Sequence, residues 1–251
     1  MRKLLTIAFI GFASLSYAQQ SEVRKISSKP IGISVSTGIQ AKIIKSNKNE
    51  VVLEAQNQNQ LGKIETKVES GVLTIRVKRN SNIQNSKNLK ATVYINPNLS
   101  SIELSSAGSL EITDAIDVRD LDIDLSSAGS LKTAAINANA LSIETSSASK
   151  VHTGAIKATT LAIEASSASV VEISGASKTT SIEASSNANI NAQKLSSNKV
   201  TADASSGAKI NIHVTESLSA EASSGARVSY TGQPKATSFE KSSGGTISNA
   251  N

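Results

Sequence analysis

A box of small residues returns along the second half of the chain at an almost fixed interval, and nothing else in the sequence constrains the fold as tightly. It reads Ser105-Ser106-Ala107-Gly108, Ser126-Ser127-Ala128-Gly129, Ser146-Ser147-Ala148-Ser149 and Ser166-Ser167-Ala168-Ser169. It continues as Ser185-Ser186-Asn187-Ala188, Ser205-Ser206-Gly207-Ala208, Ser223-Ser224-Gly225-Ala226 and Ser242-Ser243-Gly244-Gly245. The first serines stand 21, 20, 20, 19, 20, 18 and 19 residues apart. Eight copies at this pitch describe a solenoid, in which each repeat is one coil stacked on the last. Small residues suit its corners, and their hydroxyls bond locally to backbone.

Each box is flanked by period-two alternation, the signature of strands. Leu121-Asp122-Ile123-Asp124-Leu125 and Leu161-Ala162-Ile163-Glu164-Ala165 run up to a box, while Leu110-Glu111-Ile112 and Val171-Glu172-Ile173 follow one. A third apolar column comprises Ile116, Ile136, Ile156, Ala176, Leu195 and Val214. Three short strands per repeat predict an all-β fold, a single-stranded parallel β-helix with rungs of about 20 residues spaced about 4.8 Å apart. An antiparallel barrel would not bring identical residues into register at this interval. The core between such rungs is thin, which accounts for 2% aromatic residues and no Trp. Inward positions shrink toward the C-terminus to Ala184, Ala202, Ala204, Ala220 and Ala222.

Residues 1–18 read as a secretory signal, with Arg2 and Lys3 before a short apolar run and Ser16-Tyr17-Ala18 at the cleavage site. No later stretch is long and apolar enough to span a bilayer, so the mature chain is expected beyond the cytoplasmic membrane, in the periplasm or at the outer surface. Residues 19–98 are expected to form a cap and irregular first rungs, with Asn96-Pro97-Asn98 leading into regular rungs over 99–247 and a frayed tail at 248–251. Residues 19–100 hold 13 Lys/Arg against 5 Asp/Glu, and residues 101–251 hold 11 against 15. A basic end can sit near an anionic surface, or its lysines can guard strand edges against aggregation.

With no Cys, the chain has no disulfide framework, no Cys-ligated metal and no thiol nucleophile. No recurring His accompanies the serines, and His152 and His213 fall in different rungs as surface or corner residues. Scarce aromatics also count against base-stacking nucleic-acid modules. One column does carry charge. Two residues before every first serine stands an acid: Glu103, Asp124, Glu144, Glu164, Glu183, Asp203, Glu221 and Glu240. Alternation turns these side chains outward as a ladder, in which solvated neighbours about 5 Å apart repel by roughly 1 kcal/mol. Three arrangements answer that repulsion: a bridging cation such as Ca²⁺, a basic partner, or screening by Lys150, Lys209 and Arg227 beyond the boxes.

The opening Ser36-Thr37-Gly38-Ile39-Gln40-Ala41-Lys42-Ile43, the strand around Ser70-Gly71-Val72-Leu73-Thr74-Ile75, and Ala91-Thr92-Val93-Tyr94-Ile95-Asn96-Pro97 lead into the boxes. In this arrangement, over roughly residues 30–247, the chain resembles the head GIN domain family, described as auto-transporter adhesin heads. The Ser-Ser-Ala-Gly boxes depart mildly from the Gly-Ser-Gly form frequent there. The resemblance implies a right-handed β-helix at the bacterial envelope and no enzyme. The expectation is therefore a non-catalytic protein of surface recognition, adhesion or scaffolding. It would need no cofactor, would meet an envelope protein or surface glycan, and would bind no nucleic acid. A polysaccharide-binding or -cleaving β-helix, and an envelope-stress accessory that meets a membrane sensor through its basic part, are the alternatives.

Overall fold

The computed structural model describes residues 20–83 and 88–251, so the expected leader lies outside the described residues. In chain order the first strands are β1 (Gln20–Lys25), β2 (Gly32–Val35), β3 (Gln40–Lys45), β4 (Glu50–Ala55), β5 (Ile64–Glu69), β6 (Val72–Val77) and β7 (Lys90–Ile95). A short helix, α1 (Gln58–Lys63), precedes β5. Then follow β8 (Ser101–Leu104), β9 (Ser109–Ile112), β10 (Ile116–Asp117) and β11 (Asp120–Leu125). From β12 (Ser130–Thr145) each rung is one long bent strand: β13 (Lys150–Ala165), β14 (Val170–Ala184), β15 (Asn189–Ala204) and β16 (Lys209–Ala222). The next rung is divided between β17 (Arg227–Thr231) and β18 (Ala236–Lys241), and β19 (Thr246–Asn249) begins one more coil on β17.

Successive rungs pair in parallel and in register, Ile123 on Ile143, Ile143 on Ile163 and Ile163 on Ile182. This column is almost wholly shielded from solvent and continues as Ala202 and Ala220. The parallel β-solenoid read from the repeat is the fold. Its corners show why the boxes are small. In Ser146-Ser147-Ala148-Ser149 the Ser149 amide donates back to the Ser146 carbonyl at 3.2 Å, closing a turn. Its two central residues, Ser147 (φ 53°) and Ala148 (φ 61°), are left-handed, as a primed turn requires. That twist lets the Ala148 amide donate to the Ser167 carbonyl of the next rung at 2.9 Å, while Ser146 donates to Leu125 of the rung before at 2.9 Å.

A non-glycine residue in this conformation costs about 1–2 kcal/mol. The last three corners place Gly207, Gly225 and Gly244 where Ala128, Ala148 and Ala168 stand earlier. Changing Ala128, Ala148 and Ala168 to glycine should therefore stabilise the chain, each by up to about 1 kcal/mol once the looser unfolded chain is counted. A urea midpoint displaced upward in the triple variant is the expected result.

The third inward column departs from its expected membership at two rungs, at Ala176 and at Val214, which pairs with Ser197 and not with Leu195. Box five follows box four after 19 residues, and pairing shifts across that rung. Gly175, not Ala176, lies between Ile156 and Leu195, and Ala176 is turned outward. The shift also buries Ser177, whose hydroxyl meets Thr180 at 2.5 Å, and Thr180 meets Ser197 at 2.7 Å. This hydroxyl triangle fills a place that elsewhere holds aliphatic carbon.

At the N-terminal end the spatial order differs from the chain order. The strand pair β2–β3 lies between β6–β7 and β8–β9, paired in parallel on both sides. Beyond it β4 and β5 run antiparallel to β7 and β6, and β1 runs antiparallel to β4, ending the stack with strands that cannot continue it. Arg24 locks helix α1 onto this cap, donating to the Leu61 and Ile64 carbonyls at 3.0 and 2.7 Å and to Glu22 at 2.8 Å. At the other end Tyr230 and Phe239 stack with ring centroids 5.6 Å apart. The expected frayed tail is instead held: β19 pairs with β17, and Asn251 exchanges 2.8 Å bonds with the Gly232 backbone. Among the described residues no helix is long and apolar enough to cross a membrane.

Candidate functional site

In the seven rungs from Leu104 to Ala222 the residue just before the box is buried, and Lys241 follows in register, so the residue before it faces outward. All eight predicted acids occupy this position, and parallel pairing brings them together in one line. Glu103 stands beside Asp124, Asp124 beside Glu144, Glu144 beside Glu164, and so on through Glu183, Asp203 and Glu221 to Glu240. The first serine of each box is half-buried, except the exposed Ser242 of the last, so acids and serines form the two walls of a longitudinal groove of about 810 Å³. Ser34 closes its N-terminal end and Lys241 its C-terminal end.

None of the eight acids forms an ion pair with Lys, Arg or His among the described residues. Lys150, Lys209 and Arg227 form no ion pair with the ladder among the described residues; they are exposed and stand past the corner, at the start of the next strand. The charge is felt within the groove. Asp124, then partial burial, then Glu164 push the Glu144 carboxyl above its ordinary value. Burial, followed by Glu183, does the same to Asp203.

Carboxylates of the N-terminal cap behave in the opposite way. Glu50 lies 2.7 Å from Lys25, Glu65 2.6 Å from Arg76 and Glu22 2.8 Å from Arg24, and these hydrogen-bonded cations hold each below its ordinary range. Part of the basic excess read near the N-terminus is thus spent on local pairs. Among the described residues no group of three or more His, Asp or Glu converges in a way that could hold a metal ion. Backbone pairing spaces the ladder acids along a line, whereas a hard cation needs several oxygens around one point.

The two histidines do not meet. His152 is exposed and lies 3.0 Å from Glu172 on the neighbouring rung, a partner that its sequence position did not disclose. His213 bonds the Thr231 hydroxyl at 3.0 Å. One corner escaped the sequence reading. In Ser36-Thr37-Gly38-Ile39, Thr37 (φ 59°) and Gly38 (φ 70°) are left-handed, and Gly38 donates to the Ser106 carbonyl at 3.0 Å. Ser34, two residues earlier, therefore occupies the acid's position and ends the ladder with a hydroxyl beside Glu103. The available signal was Thr37-Gly38 replacing the Ser-Ala pair.

Across the corner lies a face of opposite character. One of its outward columns carries Lys90, Lys150, Lys209 and Arg227, all exposed and without an ion pair among the described residues. The next carries Lys42 and Lys132, which share Glu111 at 3.7 and 3.3 Å.

A family model described as "Putative auto-transporter adhesin, head GIN domain" matches residues 29–234. No curated protein is similar in sequence. Among solved structures, a "putative adhesin" from Parabacteroides merdae superposes with a TM-score of 0.84 at 13% identity, over 93% of this chain and 96% of that one. One from Bacteroides fragilis gives 0.70 at 19% identity, over 93% and 98%. A "putative lipid binding protein" from Parabacteroides distasonis gives 0.81 at 17% identity, over 93% and 97%. At these identities the likeness is one of fold.

Proposed function

Since the chain belongs to the head GIN domain family, we propose that it is a secreted envelope or surface β-solenoid that acts by recognition, in adhesion or scaffolding, without turnover. The observation that carries this reading is the groove: eight aligned carboxylates with no internal cation partner, walled by serine hydroxyls. A rigid line of like charge is stabilised by a cationic counterpart, so the partner is read as basic and hydrogen-bonding, met over many rungs at once. Each contact is weak and screened, and affinity comes from their number. Candidates are an envelope protein with an exposed basic segment or an amino-bearing surface glycan.

The test uses purified chain on isolated envelopes. Retention at low salt, release on raising NaCl to about 0.5 M, where screening shortens to a few Å, and no new reducing ends from added polysaccharide are the expected results. Salt-insensitive retention would reject the groove as the contact. Release of sugar would establish the polysaccharide-cleaving alternative.

A further inference from the structure

The carboxylate groove and the face that carries Lys150, Lys209 and Arg227 flank the same serine corner, and both are built from the same rungs. Lys90 extends that face to the β6–β7 rung, where Thr74 holds the ladder position. Groove and face therefore share one axial spacing, about 4.8 Å per rung. The acids fill every rung from Glu103 to Glu240, and the cations stand in a column that also holds Gln40, Ser109, Ser130, Val170 and Asn189. Lys90, Lys150, Lys209 and Arg227 project from one column with no ion-pair partner, and the eight acids line the other with none. Few acids interrupt the basic face: Glu111 is already shared by Lys42 and Lys132, and Glu172 lies against His152. We propose that the groove of one copy takes the lysine column of a second copy, the two solenoids lying side by side with their axes aligned.

The geometry suits that occupant. A lysine stem is long and flexible enough to reach into a concave strip while its ammonium sits between two carboxylates. Because both faces share one repeat, a slide by a whole rung again sets cations against acids. A chain that binds through two different faces makes a heterologous contact, so association does not close at a dimer. The last rung does not supply the contact in this scheme. Lys241 stands there in register with Ala184, Ala204 and Ala222 of the rungs before it but is exposed, and a charge on that open edge discourages end-to-end pairing.

This inference rests on the groove proposed above as a site for cations, and its test separates the two. Sedimentation of the purified chain is followed against concentration in about 20 mM and about 500 mM NaCl, conditions that bracket strong and weak screening. The weight-average mass should rise with concentration at low salt and stay at one chain at high salt. One variant carries Glu144→Gln, Glu164→Gln and Glu183→Gln, and another carries Lys150→Gln, Lys209→Gln and Arg227→Gln. Circular dichroism establishes that each folds. Each alone should remain a single chain, at least about tenfold weaker in association than the parent. Mixed, they should recover pairs and no larger species, because each retains the surface that the other lacks. A parent that stays monomeric at low salt overturns the proposal, as does a variant that still associates alone or a mixture that fails to pair. If the parent stays monomeric yet is retained on envelopes, only the homotypic contact has failed. Loss of both would remove the groove reading itself.

Discussion

Replacing Gly175 by valine should break the solenoid in its middle, lowering the free energy of unfolding by about 2–5 kcal/mol. Gly175 has φ 116°, a backbone setting that side chains rarely adopt. A β-carbon there would fall on the backbone of Ile156, against its carbonyl oxygen and amide nitrogen. Backbone cannot rotate aside as a side chain can, so the rung must move. Gly225 supplies the comparison. It is also left-handed, with φ 72°, but a β-carbon there meets nothing within 4 Å. Gly225→Ala should cost only the conformational penalty, about 1 kcal/mol. Because each rung contacts chiefly its neighbours, the damage at Gly175 should be local at first. Hydrogen exchange should show β13, β14 and β15 losing protection before β11 or β17. Equal protection losses along the whole axis, or a Gly175 variant no weaker than the Gly225 one, would contradict this packing.

Removing charge from the ladder should do the reverse. The variant Glu144→Gln, Glu164→Gln, Glu183→Gln eliminates repulsion among five consecutive acids from Asp124 to Asp203. For solvated, screened groups the total gain is about 1–2 kcal/mol at neutral pH and low salt, less at high salt. The dependence on pH follows from the directions of the carboxyl shifts. Glu144 and Asp203 are raised above 4.5 and 3.8, so the folded chain holds their protons more tightly than the unfolded chain. Their ionised forms weaken the fold at neutral pH, and that penalty fades as pH falls toward their folded values. Glu22, Glu50 and Glu65 are lowered below 4.5, so their stabilisation is complete above that value and is lost as pH falls through their folded values. Melting temperature should rise from pH 7 into mild acid and then fall. The triple variant should flatten the upper limb, where Glu144 titrates, and leave the acid fall in place. A variant that melts lower than the parent at neutral pH would mean that the ladder is stabilising as it stands.

Much of this is legible in the sequence because a solenoid writes its pitch directly into it. Ser105, Ser126 and Ser146 recur because every corner must pass through the same left-handed turn, and the acids recur because alternation fixes their side of the strand. Local rules do not reach to strand order. Nothing in Ile33-Ser34-Val35 states that β2 will insert between β6 and β8, since a strand's alternation gives its faces and not its neighbours. The spacing puts Ala176 in the inward column, but a rung one residue shorter slips the register, and the slip falls between Glu172 and Ser174, so Gly175 takes that place. Lys150, Lys209 and Arg227 lie close to the ladder in sequence and yet form no ion pair with it among the described residues. Closeness in sequence to a corner does not tell which side of it a side chain will face.

Retention of three matched proteins on isolated envelopes at low salt tests most directly that the ladder is the surface a partner reads. The first is the parent chain and the second the Glu144, Glu164 and Glu183 to glutamine variant. The third loses the same charge outside the groove, by Asp114→Asn, Asp120→Asn and Glu216→Gln. The parent and the third protein should be retained alike, and the ladder variant should wash through while remaining folded and at least as stable. Equal retention of all three, or loss in the control alone, would contradict recognition through the carboxylate groove.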